Sequence, residues 1–175
     1  MANSLLSEDL LYFFKKKEYV YVGTISSDGR PSVAPKFLIK IYKDFFYLAD
    51  FVFGNTWKNL RLNPGVSLSI VNLEDQTGYQ ISGSAQLIER GEEYRAIIKD
   101  LHKREMFFSV ERFIDGLHRE KRTKNFEITF PDKLGIIKIK ISEIVKIEPS
   151  GNLKRTHAVR RPSALKRRLT GAGKH

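Results

Sequence analysis

Apolar and polar residues alternate along several stretches of this chain, which is the pattern of β-strands buried on one face. Turn residues separate the stretches, and Asp28-Gly29 is the strongest hairpin signal among them. Gly83 interrupts the fifth stretch and predicts a β-bulge or a close approach of two backbones. The predicted strands are residues 19–26, 32–42, 45–49, 66–72, 79–89 and 134–148, with a short candidate strand at 127–130.

A period near 3.6 residues marks a few helices between these strands. Ser7 is the expected N-cap of the first helix, which ends at the three lysines 15–17, where cations complement the helix dipole. The later predicted helices cover residues 56–63, 92–107 and 110–117. Strands joined mainly by tight turns, with few helices, predict a mainly β protein: a closed or nearly closed antiparallel β-barrel with peripheral helices.

Composition narrows the class of protein further. The chain has 175 residues, of which 41% are hydrophobic, and this is enough for the core of one domain. It has no cysteine, which excludes disulfides, zinc–thiolate sites, iron–sulfur clusters and thiol nucleophiles. No signal-peptide pattern and no long apolar run is present. We therefore expect a cytoplasmic protein without a membrane segment.

The net charge of +11 is distributed unevenly. Residues 154–175 contain eight Lys and Arg residues and no acidic residue, so most of the excess lies there. The sequence thus divides into a domain over 1–150 and a basic C-terminal tail over 151–175. Such a tail is able to bind nucleic acid by neutralising phosphates, but it lacks the interleaved aromatic residues of a stacking platform. We favour packing of the tail on the body of the protein or on a partner subunit.

The stretch from Val22 to Pro64 holds the best candidate for a binding site. It runs as a strand, a tight turn, two further strands and a polar turn that opens a short helix. This order brings backbone amides, Thr56 and Lys58 to one end of the sheet. Free N–H groups at the start of a helix bind anions, so a phosphate site is predicted here. The alternative is an ordinary helix start capped by Asn55 or Thr56, with Lys58 in solvent.

Four segments in this order resemble the pyridoxamine 5′-phosphate oxidase-like proteins, also called the FMN-binding split-barrel family. They are VGTISSDGRPSVAPKF, YLADF, GNTWKNLRLNP and GYQISGSAQL. The similarity spans roughly residues 5–148. The resemblance implies a six-stranded antiparallel split β-barrel of the Greek-key type that forms a homodimer. It also implies that FMN lies in a groove between the two subunits and that residues 1–150 are the FMN-binding domain.

The resemblance also implies a set of FMN-binding residues. The flavin ring would rest against the second strand at Pro35, Lys36 and Phe37. The ribityl chain and the phosphate would run past the third strand to the turn and the short helix, at Ala49, Asp50, Asn55, Thr56, Trp57, Lys58 and Asn59. The implied activity is that of an FMN-dependent oxidoreductase of unassigned substrate. Because the flavin supplies the chemistry, no catalytic side chain and no metal ligand is predicted.

Two features depart from the family pattern. Family members often carry Lys beside the Thr of the phosphate turn, whereas this chain has Asn55 next to Thr56. A neutral amide in place of a cation weakens phosphate binding by about 1–2 kcal/mol, or roughly tenfold. The substrate-binding Arg-x-His signature of true pyridoxamine phosphate oxidases is matched only by Arg155-Thr156-His157, in the basic tail, and we do not assign it that role.

Alternatives stay open at two residues. Lys36 either points outward from the sheet or stabilises negative charge on a reduced flavin. Trp57, the only tryptophan, is either an anchor of the core or dimer or a neighbour of the cofactor.

The function also has alternatives. The same fold takes the deazaflavin F420 or haem in place of FMN, although all four histidines lie outside the predicted barrel strands and offer no evident haem ligand. An alternative of a different class is a non-enzymatic module that binds nucleic acid or a protein partner through the basic tail.

Overall fold

The structure, a computed structural model, describes residues 6–118, 131 and 133–157. The candidate strand at 127–130 and most of the basic tail lie outside these residues. The described part contains three helices, α1 (Glu8–Lys15), α2 (Asn55–Leu62) and α3 (Glu92–His118). Its strands are β1 (Tyr19–Ile25), β2 (Pro31–Tyr42), β3 (Phe45–Asp50), β4 (Gly65–Asn72), β5 (Thr77–Ile88), β6 (Gly135–Ile147) and β7 (Leu153–His157).

Six of the strands close into an antiparallel barrel. The order across the sheet is β3-β2-β1-β4-β5-β6, and an additional pairing of β3 with β6 closes the ring. β1, β2 and β3 follow one another through hairpins, and β4 then returns to lie beside β1, which is the Greek-key arrangement. The predicted mainly β fold, a six-stranded split barrel with peripheral helices, is therefore confirmed.

The long strand β6 leaves the barrel part of the way along its length. Its residues 135–140 pair with β3, whereas residues 143–147 pair on the same edge with β7. β7 was not predicted, because Leu153–His157 lacks the alternation that marks a half-buried strand, and all five of its residues are exposed. The strand is held by backbone pairing and by ion pairs of Lys154 with Glu148 and of Arg155 with Glu143.

The apolar side chains form two clusters on opposite faces of the barrel wall. The first fills the barrel and is closed by α1 and α2, with Phe14, Phe46 and Leu68 among its buried members. The second lies between the outer surface of β2 and β3 and the inner face of α3, and includes Phe37 and Leu101. Because side chains alternate along a strand, β2 and β3 contribute to both clusters.

Two predictions about local structure had different outcomes. The β-bulge at Gly83 is confirmed by a register shift against β6, and a Cβ at this position would lie 2.5 Å from the carbonyl oxygen of Lys140. The prediction of two separate helices, 92–107 and 110–117, is wrong, because α3 runs continuously through residues 108 and 109. Ser109 and Arg112 both bond to Glu105 across the predicted break, and no Gly or Pro interrupts the helix there.

None of the helices in the described part of the chain is long and apolar enough to cross a bilayer.

Candidate functional site

The short helix α2 lies against one end of the barrel and positions the candidate site. It contacts β1, β2 and β5, and it buries Trp57 and Leu60 in the barrel core. Gly135 at the start of β6 makes this packing possible, because a Cβ there would overlap the Trp57 ring. The ring of Phe53 packs edge-on against Trp57 at a centroid distance of 4.9 Å. These contacts fix where the N-terminus of α2 lies.

The first turn of α2 has no side-chain cap. Its N-cap residue is Gly54, so the expectation that Asn55 or Thr56 caps the helix is wrong. The first hydrogen bond of the helix runs from the Lys58 amide to the Gly54 carbonyl, at 3.2 Å. The amides of the preceding turn have neither an intrahelical acceptor nor a capping side chain, and this leaves donors free for an anion.

Lys36 and Asp50 form an ion pair between β2 and β3. The Lys36 Nζ lies 2.8 Å from the Asp50 Oδ1, and the residues are 8% and 0% exposed. The backbone N–H of Val52 also donates to this oxygen, at 3.2 Å. Lys36 shares a face of β2 with Leu38, a member of the barrel core, so it points inward and its charge is already neutralised. Of the two interpretations of Lys36, outward exposure is wrong, and a role beside a reduced flavin stays a prediction.

A second polar contact ties α2 to β1. The Asn59 Nδ2 donates to the Thr24 Oγ1 at 3.0 Å, and both residues are buried. A buried amide requires such a partner, because an unpaired one carries a desolvation cost. Thr24 was not singled out from the sequence, since its partner lies 35 residues away in the chain. The alternation along β1, which places Thr24 on the same face as Val22, was the available signal.

Two buried polar atoms near α2 have no hydrogen-bond partner within the part of the chain that the structure describes. They are the Nε1 donor of Trp57 and the Oδ2 acceptor of Asp50. Asp50 is paired in register with Gly135, and Gly135 in turn lies against the Trp57 ring, so both residues adjoin the same point of β6. Unpaired buried groups of this kind cluster where a protein binds a water molecule or a ligand.

The ten predicted FMN-binding residues fall into two groups. Seven of them are buried, namely Lys36, Phe37, Ala49, Asp50, Thr56, Trp57 and Asn59. Phe37 and Ala49 belong to the apolar cluster beneath α3. Pro35, Asn55 and Lys58 are exposed and are available to a ligand in the isolated chain. Three of the ten residues are therefore accessible, whereas Trp57 lies in the cluster that fills the barrel.

The outer face of the β1–β2 hairpin carries exposed apolar side chains. Tyr21 lies opposite Pro35 in the strand register, and Val33 lies opposite Gly23. Tyr21 is 60% exposed and Val33 is 68% exposed. Neighbouring apolar side chains exposed to this degree mark a surface that binds a ligand or another protein.

The Arg-x-His triplet lies on β7, which pairs with β6. Arg155 and His157 both approach Glu143 of β6, at 3.1 and 3.5 Å. Within residues 6–118 and 133–157, no group of three or more His, Asp or Glu side chains is placed to hold a metal ion.

A closed six-stranded Greek-key barrel with an uncapped helix at its end defines a split-barrel protein. The family model for pyridoxamine 5′-phosphate oxidase matches residues 6–130, more than half of the chain. The chain therefore belongs to the pyridoxamine 5′-phosphate oxidase family.

An uncharacterized protein of Methanocaldococcus jannaschii is 35% identical over 91 residues, which make up 50% of this chain and 60% of that protein. The chain thus spans less than two thirds of the length of this relative. Since that relative is itself uncharacterized, the match adds no activity.

Solved structures share the fold at low identity. A Clostridium acetobutylicum protein of the pyridoxinephosphate oxidase family, related to general stress protein 26, aligns with a TM-score of 0.60 at 14% identity, covering 87% of this chain and 96% of that one. An FMN-binding protein of Nostoc punctiforme aligns at 0.50 and 11%, covering 82% and 88%. An F420 reductase aligns at 0.53 and 12%, covering 79% and 98%. Identities this low show the fold alone.

Proposed function

We propose that this protein is a homodimeric FMN-binding flavoprotein that acts as an oxidoreductase. The observation that carries the proposal is the uncapped N-terminus of α2, which lies at the end of a barrel of the pyridoxamine 5′-phosphate oxidase family. The fold-level likeness to an FMN-binding protein of Nostoc punctiforme supports the same cofactor.

The phosphate of FMN would bind at the first turn of α2. The free amides of Asn55, Thr56 and Trp57 supply donors, and the positive end of the helix dipole favours an anion. Lys58 is exposed and follows this turn directly, so it supplies the cation that Asn55 does not. Lys36 is buried and already paired with Asp50, which favours Lys58 over Lys36 in this role. The residues present therefore fit a phosphate group, with Lys58 as its charged contact.

The flavin ring would pack on the exposed outer face of the β1–β2 hairpin. Tyr21, Val33 and Pro35 present an apolar surface there, and Phe37 supports it from the cluster beneath α3. This surface is open in a single chain. A second copy of the chain would cover it and close the groove, which would exclude water from both the ring and the apolar side chains.

In this proposal FMN supplies hydride or electron transfer, and the protein supplies binding, orientation and a low-dielectric surrounding. The Lys36–Asp50 pair would hold β2 and β3 together beneath the groove. The Asn59–Thr24 bond would hold α2 at a fixed distance from β1. These contacts keep the phosphate turn and the ring surface in one geometry, which is what a cofactor site requires of its scaffold.

The proposal is tested by titrating FMN into the purified protein and following flavin fluorescence. We expect saturation at one FMN per subunit. Lys58→Gln should weaken binding about fivefold, the effect of roughly 1 kcal/mol from one exposed charge. Lys99→Gln, which removes another exposed lysine, on α3, should change the affinity less than about twofold. The proposed site would be refuted if the protein did not bind FMN at all, or if both variants lost FMN affinity to the same extent.

The homodimer is tested separately by light scattering. Val33→Glu places a charge on the exposed hairpin surface and should convert a dimer to a monomer. Val71→Glu, at another exposed valine, is the matched control and should leave the dimer intact. A wild-type protein that is monomeric with and without FMN would contradict the dimer.

A second cofactor candidate is F420, which the fold-level likeness to an F420 reductase supports. A parallel titration with F420 distinguishes the two cofactors. If the protein binds F420 but not FMN, the groove is an F420 site.

Nucleic-acid binding through the tail is less favoured, since Lys154 and Arg155 already pair with Glu148 and Glu143.

A further inference from the structure

A cavity of 470 Å³ lies between α1, β2 and α3, away from the phosphate turn. Its apolar wall is formed by Leu11, Phe14, Leu38 and Ile41. A neighbouring cavity of 320 Å³, which is more open to solvent, shares Lys40 and Arg104 as part of its lining. Volumes of this size are typical of small-molecule sites.

Arg104 of α3 has an unusual environment. Its Nε donates to the Leu38 carbonyl at 2.7 Å, and its Nη2 donates to the carbonyls of Phe14, Lys15 and Lys17 at 2.9–3.1 Å. The guanidinium also lies over the Phe108 ring, 4.9 Å from its centroid. These contacts hold the group rigidly at the junction of the two cavities.

Arg104 forms no ion pair within 4 Å with a carboxylate of the described residues, and carbonyl oxygens accept its hydrogen bonds, although the charges of Glu18 and Glu111 act on it at longer range. Its Nη1 makes no hydrogen bond with the described part of the chain. Burial lowers the pKa of this guanidinium from its ordinary value, which reflects the cost of holding the charge away from water. A partly buried cation with free donors is a ready partner for a carboxylate or a phosphate.

The remaining charges around the cavities set the charge of the ligand. Lys15 and Lys103 add positive charge, and Lys40 is paired with Asp100 at 2.6 Å. Glu8 adds one negative charge at the wall of the larger cavity. Glu111 and Glu18 also act on Arg104, and Glu18 is already paired with Arg112. The balance favours a singly charged anion over a doubly charged phosphate, because Glu8 and Asp100 would repel the second charge.

We propose that this cavity binds a small organic carboxylate, with its carboxylate against Arg104 and Lys15 and its apolar acyl or aryl body against Leu11 and Ile41. The site is separate from the proposed FMN groove. The cavity uses the second half of β2 together with α1 and α3, whereas the groove uses the first half of β2 together with α2. The protein would thus have a second ligand site, for a carboxylic acid, beside its cofactor site.

The test is calorimetric titration with octanoate and with octylamine, which share an eight-carbon chain and carry opposite charges. We expect saturable 1:1 binding of octanoate and none of octylamine. Lys15→Gln should weaken octanoate binding about threefold to tenfold, whereas Lys99→Gln, at an exposed lysine of α3 outside both cavities, should change it less than about twofold. Arg104 itself is left intact because its carbonyl contacts stabilise the fold.

Location is tested by amide chemical shifts in the same titration. Octanoate should perturb Leu11, Lys15 and Ile41, and Lys58→Gln should leave its affinity unchanged. Perturbation of Asn55 and Lys58 instead, or displacement of octanoate by FMN, would place the carboxylate in the cofactor groove and overturn the proposal. Equal binding of octylamine, or no saturable binding, would overturn it as well.

Discussion

Lys36 of β2 donates from its Nζ to the Oδ1 of Asp50 of β3 across 2.8 Å, and neither side chain has appreciable contact with solvent. Both residues were predicted to contact a cofactor, which stays a prediction, and the structure also makes them each other's partner. A buried pair of this kind is costly to break from one side, because the remaining charge stays buried. It therefore fixes the relation of β2 to β3 beneath the proposed groove.

Single substitutions of this pair should destabilise the protein strongly. Lys36→Met leaves the Asp50 carboxylate buried without its cation, and the free energy of unfolding should fall by about 3–5 kcal/mol. Asp50→Asn should have a similar effect through the unpaired Lys36. Urea denaturation followed by circular dichroism measures both changes.

The double substitution Lys36→Met with Asp50→Leu should cost much less than the sum of the two single changes, because no buried charge remains. Lys58→Met, at an exposed lysine, is the control and should alter stability by less than about 0.5 kcal/mol. Additive effects of the two single substitutions would show that the pair is not coupled.

Arg104 should be a main contributor to the attachment of α1 to α3. Removing its side chain in Arg104→Ala leaves four backbone carbonyls without their donor, and we expect a loss of about 2–3 kcal/mol. Arg104→Lys should recover only part of this loss, because one ammonium group cannot reach the same set of acceptors. Arg61→Ala removes an exposed ion pair with Glu89 and should cost less than about 0.5 kcal/mol. A small effect of Arg104→Ala in urea denaturation would disprove this role.

Gly135 should not tolerate a side chain. Its Cβ would overlap the Trp57 ring and lie 3.0 Å from the Phe53 ring, so Gly135→Ala must displace the anchor of α2. We expect a loss of stability of about 1–3 kcal/mol and a change in Trp57 fluorescence. Gly23→Ala is the matched control in a barrel strand, where the added Cβ meets its nearest atom at an ordinary 3.5 Å. Unchanged tryptophan emission in Gly135→Ala would contradict this packing.

The turn before β5 should show a defined dependence on pH. Thr77 donates from its hydroxyl to the Asp75 Oδ1 at 2.6 Å, and this hydrogen bond holds the pKa of the Asp75 carboxyl below its ordinary value. A lowered folded pKa contributes stability above the unfolded pKa of about 3.9, and this contribution is lost as pH falls through the folded pKa. An NMR titration of the carboxyl should show a higher pKa in Thr77→Val. An equal pKa in both proteins would rule out the hydroxyl as the cause.

Local alternation was enough to predict most strands. The second strand was predicted at 32–42 and observed at Pro31–Tyr42, and the third was predicted at 45–49 and observed at Phe45–Asp50. These bounds follow from turn residues and from the burial of every second side chain, both of which are local properties. The resemblance to a known family added the number of barrel strands and their Greek-key order, in which the distant strands β3 and β6 pair.

Features that depend on the pairing of distant parts of the chain could not be predicted from local sequence patterns. The partner of Lys36 was missed because the pairing needs the antiparallel register of β2 and β3, although both residues were named. The alternative that Asn55 or Thr56 caps α2 followed side-chain preference, whereas the N-cap is Gly54, which has no side chain to form a cap. β7 was missed because ion pairs at an exposed edge, rather than burial, accompany its pairing.

The central claim is that the α2 N-terminus holds the phosphate of FMN. The most direct measurement compares the affinities of FMN and riboflavin, which differ only in that phosphate, for the wild-type protein and Lys58→Gln. We predict that FMN binds at least about tenfold more tightly than riboflavin to the wild type, and that Lys58→Gln narrows this ratio while leaving riboflavin binding unchanged. Equal affinities for the two flavins, or a ratio insensitive to Lys58, would contradict the claim.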